Sequence, residues 1–280
     1  MPQVLRYELR TPYFGWLLPK AELIFEFEGR TFRLIRGVRG EPHQVLTILD
    51  CPAEAQTTKQ ENIYETLSRF CDYLGWEWSL GVECSPKGGV GFRAGQLTLD
   101  NMPIYVPHPP LPKGVSREPA YIPEVQNETT KLALSLMNEA RCSSSPFFSF
   151  INYWKVLELC PAGTAKRGKP EDRVITWINN VPEHKLGIDE RIQIELERRR
   201  KSLGEYLWDD FRNAIVHITR KPSLRPNNPR HQLEIYLAAG IAYHLAKLYI
   251  QEVLSIGKYS IPIKVLKTRK RTTTRHYIRR

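Results

Sequence analysis

Residues 208–217 read Trp-Asp-Asp-Phe-Arg-Asn-Ala-Ile-Val-His, and this stretch decides how the second half of the chain is interpreted. Apolar side chains recur here at helical spacing, which predicts a helix with one buried stripe. The stripe is formed by Leu207, Phe211, Ala214 or Ile215, and Ile218. Pro222 cannot continue a helix, so we expect the helix to end in residues 219–222.

Four side chains of this helix fall off the apolar stripe: Asp209, Arg212, Asn213 and His217. At about 100° per residue, Arg212 and His217 lie about 140° apart on the side away from the core. The predicted helix therefore presents a guanidinium, an amide and an imidazole away from its packing surface.

The helices expected before this stretch carry clear start signals. Asn127 is placed to cap one helix, and Pro146 stands in the first turn of the next. Glu158 lies one turn after Trp154 beside apolar neighbours, where a carboxylate needs water or a cation. Arg212 is the cation that we name as its partner. The alternative is a surface-pointing carboxylate at a helix end.

A charge run precedes the motif helix and contains four adjacent cations: Arg198, Arg199, Arg200 and Lys201. Such a run is usually the solvated face of a helix. Its functional interpretation is an RNA-binding surface, since adjacent cations suit a phosphate backbone.

The net charge of +11 is unevenly placed, because nine basic and no acidic residues follow Glu252. A basic tail suggests a polyanionic partner, and the alternative is a disordered, solubilising terminus.

The five cysteines are widely spaced without a CxxC motif, which argues against a disulfide framework or a zinc site and favours a reducing compartment. We see no signal peptide, and the most apolar stretch, 235–246, is too short for a membrane span. The expected location is the cytoplasm.

The first hundred residues alternate between apolar and polar side chains, as half-buried strands do. A hairpin turning at Gly29, a strand at 45–49, and a helix from Thr58 that ends at Gly75 are expected. Residues 76–80 alternate again, which predicts another strand, and a turn at 88–91 and short strands over 90–104 are expected after it. We therefore expect an α+β protein with these parts: a β-rich sensor or regulatory domain with one helix (1–106), a Pro-rich linker (107–123), an all-helical domain (124–257) and a basic tail (258–280).

The pattern Arg212-Asn213, three residues, then His217, late in a helical segment, resembles the RxxxxH signature of HEPN domains. The segment from Lys131 to Glu158 is similar to HEPN proteins described as methylamine-utilisation J-like and to the C-terminal half of phage-defence HEPN proteins. The resemblance covers residues 125–257. It implies a HEPN-like helical bundle with Arg212, Asn213, His217 and Glu158 as the catalytic set.

The resemblance further implies a metal-independent endoribonuclease, without a cofactor, possessing one motif per chain. Two facing copies supply the two imidazoles that acid and base catalysis require, so a homodimer through the helical domain is expected, with products ending in 2′,3′-cyclic phosphate. The proposed setting is stress or phage defence, and the partner is RNA rather than a membrane.

Two other functions stay open from the sequence. One is a non-catalytic HEPN-like dimer that binds RNA, nucleotide or protein, and the other is an accessory role in amine metabolism. A purely structural role for the motif is also open, with Arg212 paired to Asp209 or Glu158 and His217 stabilising a helix C-terminus.

Overall fold

The structure is a computed structural model that describes residues 3–10, 22–35, 43–49, 56–78, 81–86, 121–125, 127–159, 170–186, 188, 190–217, 224–254, 256, 260–262 and 264–269. Several predictions lie outside these residues. They are the turn at 88–91, the short strands at 90–104, most of the Pro-rich linker and the end of the basic tail.

The chain forms two compact units. Unit 1 comprises Met1–Ser68, Cys84–Tyr121 and Pro262–Arg280, and unit 2 comprises Arg69–Glu83 and Ile122–Ile261. The strands are β1 (Gln3–Arg10), β2 (Glu22–Phe27), β3 (Arg30–Ile35), β4 (His43–Leu49), β5 (Glu83–Pro86), β6 (Tyr121–Pro123), β7 (Ser260–Pro262) and β8 (Lys264–Arg269). The helices are α1 (Gln56–Trp78), α2 (Glu128–Cys142), α3 (Pro146–Glu158), α4 (Pro170–Asn179), α5 (Glu190–Arg199), α6 (Leu203–Tyr206), α7 (Asn213–Val216) and α8 (Pro229–Glu252). The predicted α+β class is confirmed.

Unit 1 is built on a six-stranded sheet with the order β5-β1-β4-β3-β2-β8. The predicted hairpin is confirmed: β2 and β3 pair antiparallel, and Glu28 and Gly29 turn with φ of 47° and 72°. The register places Phe25 opposite Phe32, and their rings stack at 5.6 Å in the core. The strand predicted at 45–49 is also present, as β4.

The charge pattern suggested a basic tail over residues 258–280, but residues 264–269 within it form a strand. They form β8, which pairs antiparallel with β2 and lies at one end of the sheet order. A run of like charges does not prevent strand formation when every second residue shares a face and an edge strand is open for pairing.

The strand predicted for residues 76–80 is wrong at 76–78, and residues 79–80 lie outside the described residues. Helix α1 continues through Gly75 to Trp78, so Gly75 does not end it and neither Trp76 nor Trp78 lies in a strand. Phe70 and Leu74 are buried at helical spacing, and this packing outweighs the local alternation that follows them.

Unit 2 is a bundle in which α3 packs against both α2 and α8. The predicted start signals are confirmed, because Asn127 Oδ1 accepts from Thr130 N at 2.7 Å and Pro146 begins α3. The core of α3 includes Phe150 and Trp154, which are 0% and 1% exposed, with stacked rings. This helix is therefore the fixed support for the elements around it.

A buried amide joins separate parts of unit 2. Asn138 of α2 donates through Nδ2 to Asp72 Oδ1 at 2.9 Å and to Val82 O at 2.7 Å, and its Oδ1 accepts from Val82 N at 2.8 Å. A Cβ on Gly81 would lie 2.8 Å from both Cys142 N and Cys142 Sγ, so only glycine allows this approach to α2. These contacts tie the end of α1 and the residues after it to the helical unit.

Asp72 gives this connection a pH dependence. Burial raises its pKa from the ordinary 3.8 to about 6, although the amide of Asn138 opposes the shift. The folded protein thus keeps a proton that the unfolded chain has lost, and stability falls as pH rises from about 4 to about 6.

In Asp72→Asn, the new amide oxygen can still accept from Asn138. As pH rises from about 4 to about 6, we expect the free energy of unfolding of this variant to increase relative to that of wild type by up to about 3 kcal/mol. Urea unfolding of both proteins at a series of pH values tests this prediction. The same pH dependence of the free energy of unfolding in both proteins would contradict it.

Candidate functional site

The motif lies on a continuous helical segment from Leu203 to Val216. Ser202 and Glu205 form a capping box at its start, as Ser202 N donates to Glu205 Oε2 at 2.9 Å. Between α6 and α7 the residues Leu207–Arg212 form a π-helical turn, in which Asn213 N–H donates to Trp208 O, five residues back. This turn places one more residue in a helical turn than an α-helix does.

The structure corrects one sequence prediction in this segment. Asn213 was expected to face away from the core with Arg212, but it is only 7% exposed. Leu207, Phe211 and Ala214 are buried, as the apolar stripe predicted. The motif segment therefore buries the amide of Asn213 together with its apolar stripe.

Arg212 is held on three sides by described residues. Its Nη2 donates to Glu158 Oε1 at 3.3 Å, which is the pairing that the sequence predicted. Its Nη1 donates to Asn213 Oδ1 at 3.3 Å, and its guanidinium carbon lies 4.5 Å from the ring centroid of Trp208. The side chain is still 23% exposed, so part of the guanidinium faces solvent.

Glu158 is itself fixed by the core helix. Trp154 Nε1 donates to Glu158 Oε1 at 3.0 Å, so one carboxylate oxygen accepts from both the indole and the guanidinium. The rings of Trp154 and Trp208 are 5.8 Å apart. The orientation of Arg212 is thus determined by α3 and by the aromatic residue one turn before it.

His217 lies at the end of the segment, with an exposed side chain. The helix ends at Val216, earlier than predicted, and His217 has φ −116° and ψ 85° outside the helical region. Its N–H donates to Asn213 O at 2.9 Å. The structure therefore brings Arg212, Asn213 and Glu158 into contact, whereas His217 joins them through its backbone alone among the described residues.

Most cations of the basic run are engaged by acidic side chains of the described residues, although the side chain of Arg198 stays 60% exposed. Arg198 pairs with Glu195, Arg199 pairs with Asp210 at 3.0 Å, and Lys201 pairs with Asp209 at 2.9 Å. Asp209 is thereby engaged by Lys201, and not by Arg212 as the structural alternative allowed. Among the described residues, three of these cations are thus committed to acids of their own chain.

Arg200 is the exception in this run, because it forms no ion pair with a described acid; like Arg198, it is exposed. It follows α5 in the left-handed region with φ 53°, and Lys201 N donates to Leu196 O at 3.2 Å, which closes the helix in a Schellman-type turn. This turn directs Lys201 toward the π turn.

Asp210 is a residue of this region that the sequence analysis missed. It is 6% exposed, its Oδ1 is paired with Arg199, and its Oδ2 has no hydrogen bond, with Lys201 Nζ at 3.6 Å. The only available signal was its place beside Asp209, nine residues after the end of the basic run. It anchors α5 to the π turn.

A cleft of about 700 Å³ lies beside this region, lined by residues of α4, α5 and the start of α6. Gly204 permits the close approach of α6 to α4, because a Cβ there would lie 2.8 Å from Ile175 O. None of Arg212, Asn213, His217 and Glu158 lines the cleft. It is therefore distinct from the motif cluster.

Comparison with known proteins places part of unit 2 in context. Residues 133–251 match the family model described as methylamine utilization protein MauJ. Neither a curated protein nor a solved structure matches the chain. Within the described ranges, three or more His, Cys, Asp or Glu side chains nowhere gather closely enough to hold a metal ion. No described helix has both the length and the apolar character needed to span a membrane.

The pairing of Arg199 with buried Asp210 predicts a stability difference between neighbouring arginines. Arg199→Met leaves the buried carboxylate with only the distant Lys201, and we expect a loss of about 1–3 kcal/mol in the free energy of unfolding. Arg200→Met is the matched control and should change stability by less than about 0.5 kcal/mol. Urea unfolding followed by tryptophan fluorescence measures both variants, and equal midpoints would show that the Asp210 pair is not formed.

Proposed function

We propose that the protein is a metal-independent endoribonuclease of the HEPN type that acts on cytoplasmic RNA as a homodimer. The observation that carries the proposal is the partly exposed guanidinium of Arg212, held by Glu158 and Trp208, five residues before the exposed His217. The π turn beneath Arg212 adds support, since such turns occur frequently at functional sites.

In this proposal the nucleophile is the 2′-hydroxyl of the RNA. It attacks the adjacent phosphorus, the bond from phosphorus to the 5′ oxygen breaks, and a 2′,3′-cyclic phosphate remains. His217 accepts the proton of the hydroxyl, and His217 of the partner subunit donates a proton to the leaving 5′ oxygen. Arg212 stabilises the negative charge on the phosphate with the N–H groups that its described neighbours leave available.

Glu158 and Asn213 are positioning residues in this mechanism. Both accept hydrogen bonds from the guanidinium of Arg212, and neither needs to contact the phosphate. Their contacts fix the fork of donors before RNA binds, which lowers the reorganisation needed in the transition state. The sheet of unit 1 is proposed as the regulatory part, in a defence or stress response.

A second candidate function is RNA or nucleotide binding without cleavage. It is favoured by the ion pair that already neutralises Arg212, and by the lack of a described side chain that orients the imidazole of His217. A role in amine metabolism rests only on the description of the matching family.

An RNA-cleavage assay in EDTA separates these functions. We expect wild type to produce 2′,3′-cyclic phosphate ends, and His217→Ala and Arg212→Ala each to lose at least about 100-fold in rate. His184→Ala is the matched control, because His184 is another exposed histidine of unit 2, and it should retain full activity. Cleavage that survives in His217→Ala would contradict the proposal, and binding without cleavage in wild type would favour the second candidate.

A further inference from the structure

One side of α3 is open to solvent, while the rest of this helix packs in the bundle. The three exposed residues of the helix are Phe148, Lys155 and Glu158. At about 100° per residue they fall within an arc of about 80°, so they share one side, which we call the α3 stripe. The stripe ends at the carboxylate that accepts from Arg212. It therefore leads along the core helix to the motif cluster.

The ion pair at the end of the stripe offers a phosphate little net charge. The positive charge of Arg212 is balanced by Glu158, because Arg212 Nη2 lies 3.3 Å from Glu158 Oε1. Each phosphodiester of RNA carries one negative charge, and much of the affinity of a protein for RNA comes from cations that neutralise such charges. Arg212 can still donate hydrogen bonds, but a further cation beside the pair would make this end of the stripe positive.

Lys155 is placed to supply that cation. It precedes Glu158 by three residues, a spacing at which side chains on a helix are neighbours. Its Nζ donates to Oδ1 of the buried Asn152 at 3.5 Å, and it forms no ion pair with a described acid. An ammonium group has three N–H donors, and the contact with Asn152 uses one of them. The described neighbours of Lys155 therefore leave two donors and the positive charge to a ligand.

Phe148 lies at the other end of the stripe. It precedes Lys155 by two helical turns, about 10 Å along the axis, and lies within about 20° of it around the helix. It is 68% exposed, more than any other large apolar residue that the structure describes, and its ring contacts no described aromatic ring. Proteins that bind single-stranded nucleic acid combine cations for the backbone with aromatic rings on which bases stack. The stripe carries one group of each kind.

We propose that RNA bound at the motif continues along the α3 stripe, with a phosphate at Lys155 and an unpaired base stacked on Phe148. A single strand can make both contacts, because its bases are free to leave one another and stack on an aromatic side chain. A duplex keeps its bases paired and stacked, so it can meet Lys155 but not Phe148 in this way. Both residues bind the substrate, and the stripe selects single-stranded RNA beside the bond that is cleaved.

The role of the stripe rests on RNA being the ligand of the motif, as in the proposed function. Binding and cleavage are measured separately, so each can fail without the other. RNA binding that depends on Lys155 and Phe148, without cleavage by wild type, would overturn the enzymatic function and support the stripe. Cleavage by a protein whose RNA affinity is indifferent to both residues would do the reverse.

Fluorescence anisotropy of a labelled single-stranded RNA tests the phosphate contact, with His217→Ala in the full chain to prevent cleavage. Lys155→Gln should bind about 10-fold more weakly at low salt, and the slope of log affinity against log salt should decrease in magnitude by about 0.7, as expected for one lost phosphate contact. A purely structural role of Lys155 would leave this slope unchanged. Lys155→Arg should restore both affinity and slope.

Lys131→Gln is the matched control for the phosphate contact. Lys131 lies on α2 and is paired with Glu128, so its substitution should change neither the affinity nor the slope. Equal affinities and equal slopes for Lys155→Gln and Lys131→Gln would overturn the proposal.

Phe148→Ala tests the base contact with two forms of the same RNA. Affinity for the single strand should fall about 10-fold, whereas affinity for the duplex of that strand and its complement should change by less than about 2-fold. Phe148→Trp keeps a flat ring and should retain the affinity for the single strand. Leu132→Ala is the matched control, because Leu132 is 50% exposed on α2 and should affect neither form. Equal losses for the two forms of RNA, or an unchanged affinity of Phe148→Ala for the single strand, would overturn the proposal.

Discussion

The position of the motif depends on one carboxylate oxygen, Glu158 Oε1. It accepts hydrogen bonds from Trp154, on the core helix α3, and from Arg212, on a segment that contains a π turn. Because the guanidinium also lies over the ring of Trp208, two indoles and one carboxylate together fix a long side chain. The same contacts that stabilise the fold therefore determine which N–H groups of Arg212 remain available to a ligand.

Sequence patterns predicted the buried stripe of the motif helix and the starts of α2 and α3, and the need of a carboxylate beside apolar residues for a cation predicted the partner of Glu158. They did not predict the π turn, and they placed Asn213 on the wrong side, because the burial of an amide depends on tertiary contacts that apolar spacing does not report. They also missed Asp210, since its partner Arg199 comes from another helix. Local patterns report what a helix buries, whereas pairing between helices is decided by tertiary geometry.

The charge of the chain illustrates the same limit. The net charge of +11 and the run at 198–201 suggested an open cationic surface. In the fold, Arg198, Arg199 and Lys201 face acidic side chains of unit 2, so the run mainly joins α5 to the motif segment. A count of basic residues describes the long-range field, whereas the access of each cation to a phosphate depends on its exposure and its ion pairs, which the fold determines.

The hydrogen bonds of Asn138 also determine where the chain can be divided. Unit 2 takes Asp72 and Val82 from a segment that lies between two parts of unit 1, and β8, which follows unit 2, belongs to the six-stranded sheet. The two units are therefore interleaved along the chain, and no single cut separates them. A fragment that begins at residue 124 would leave the amide of Asn138 without its partners at Asp72 and Val82.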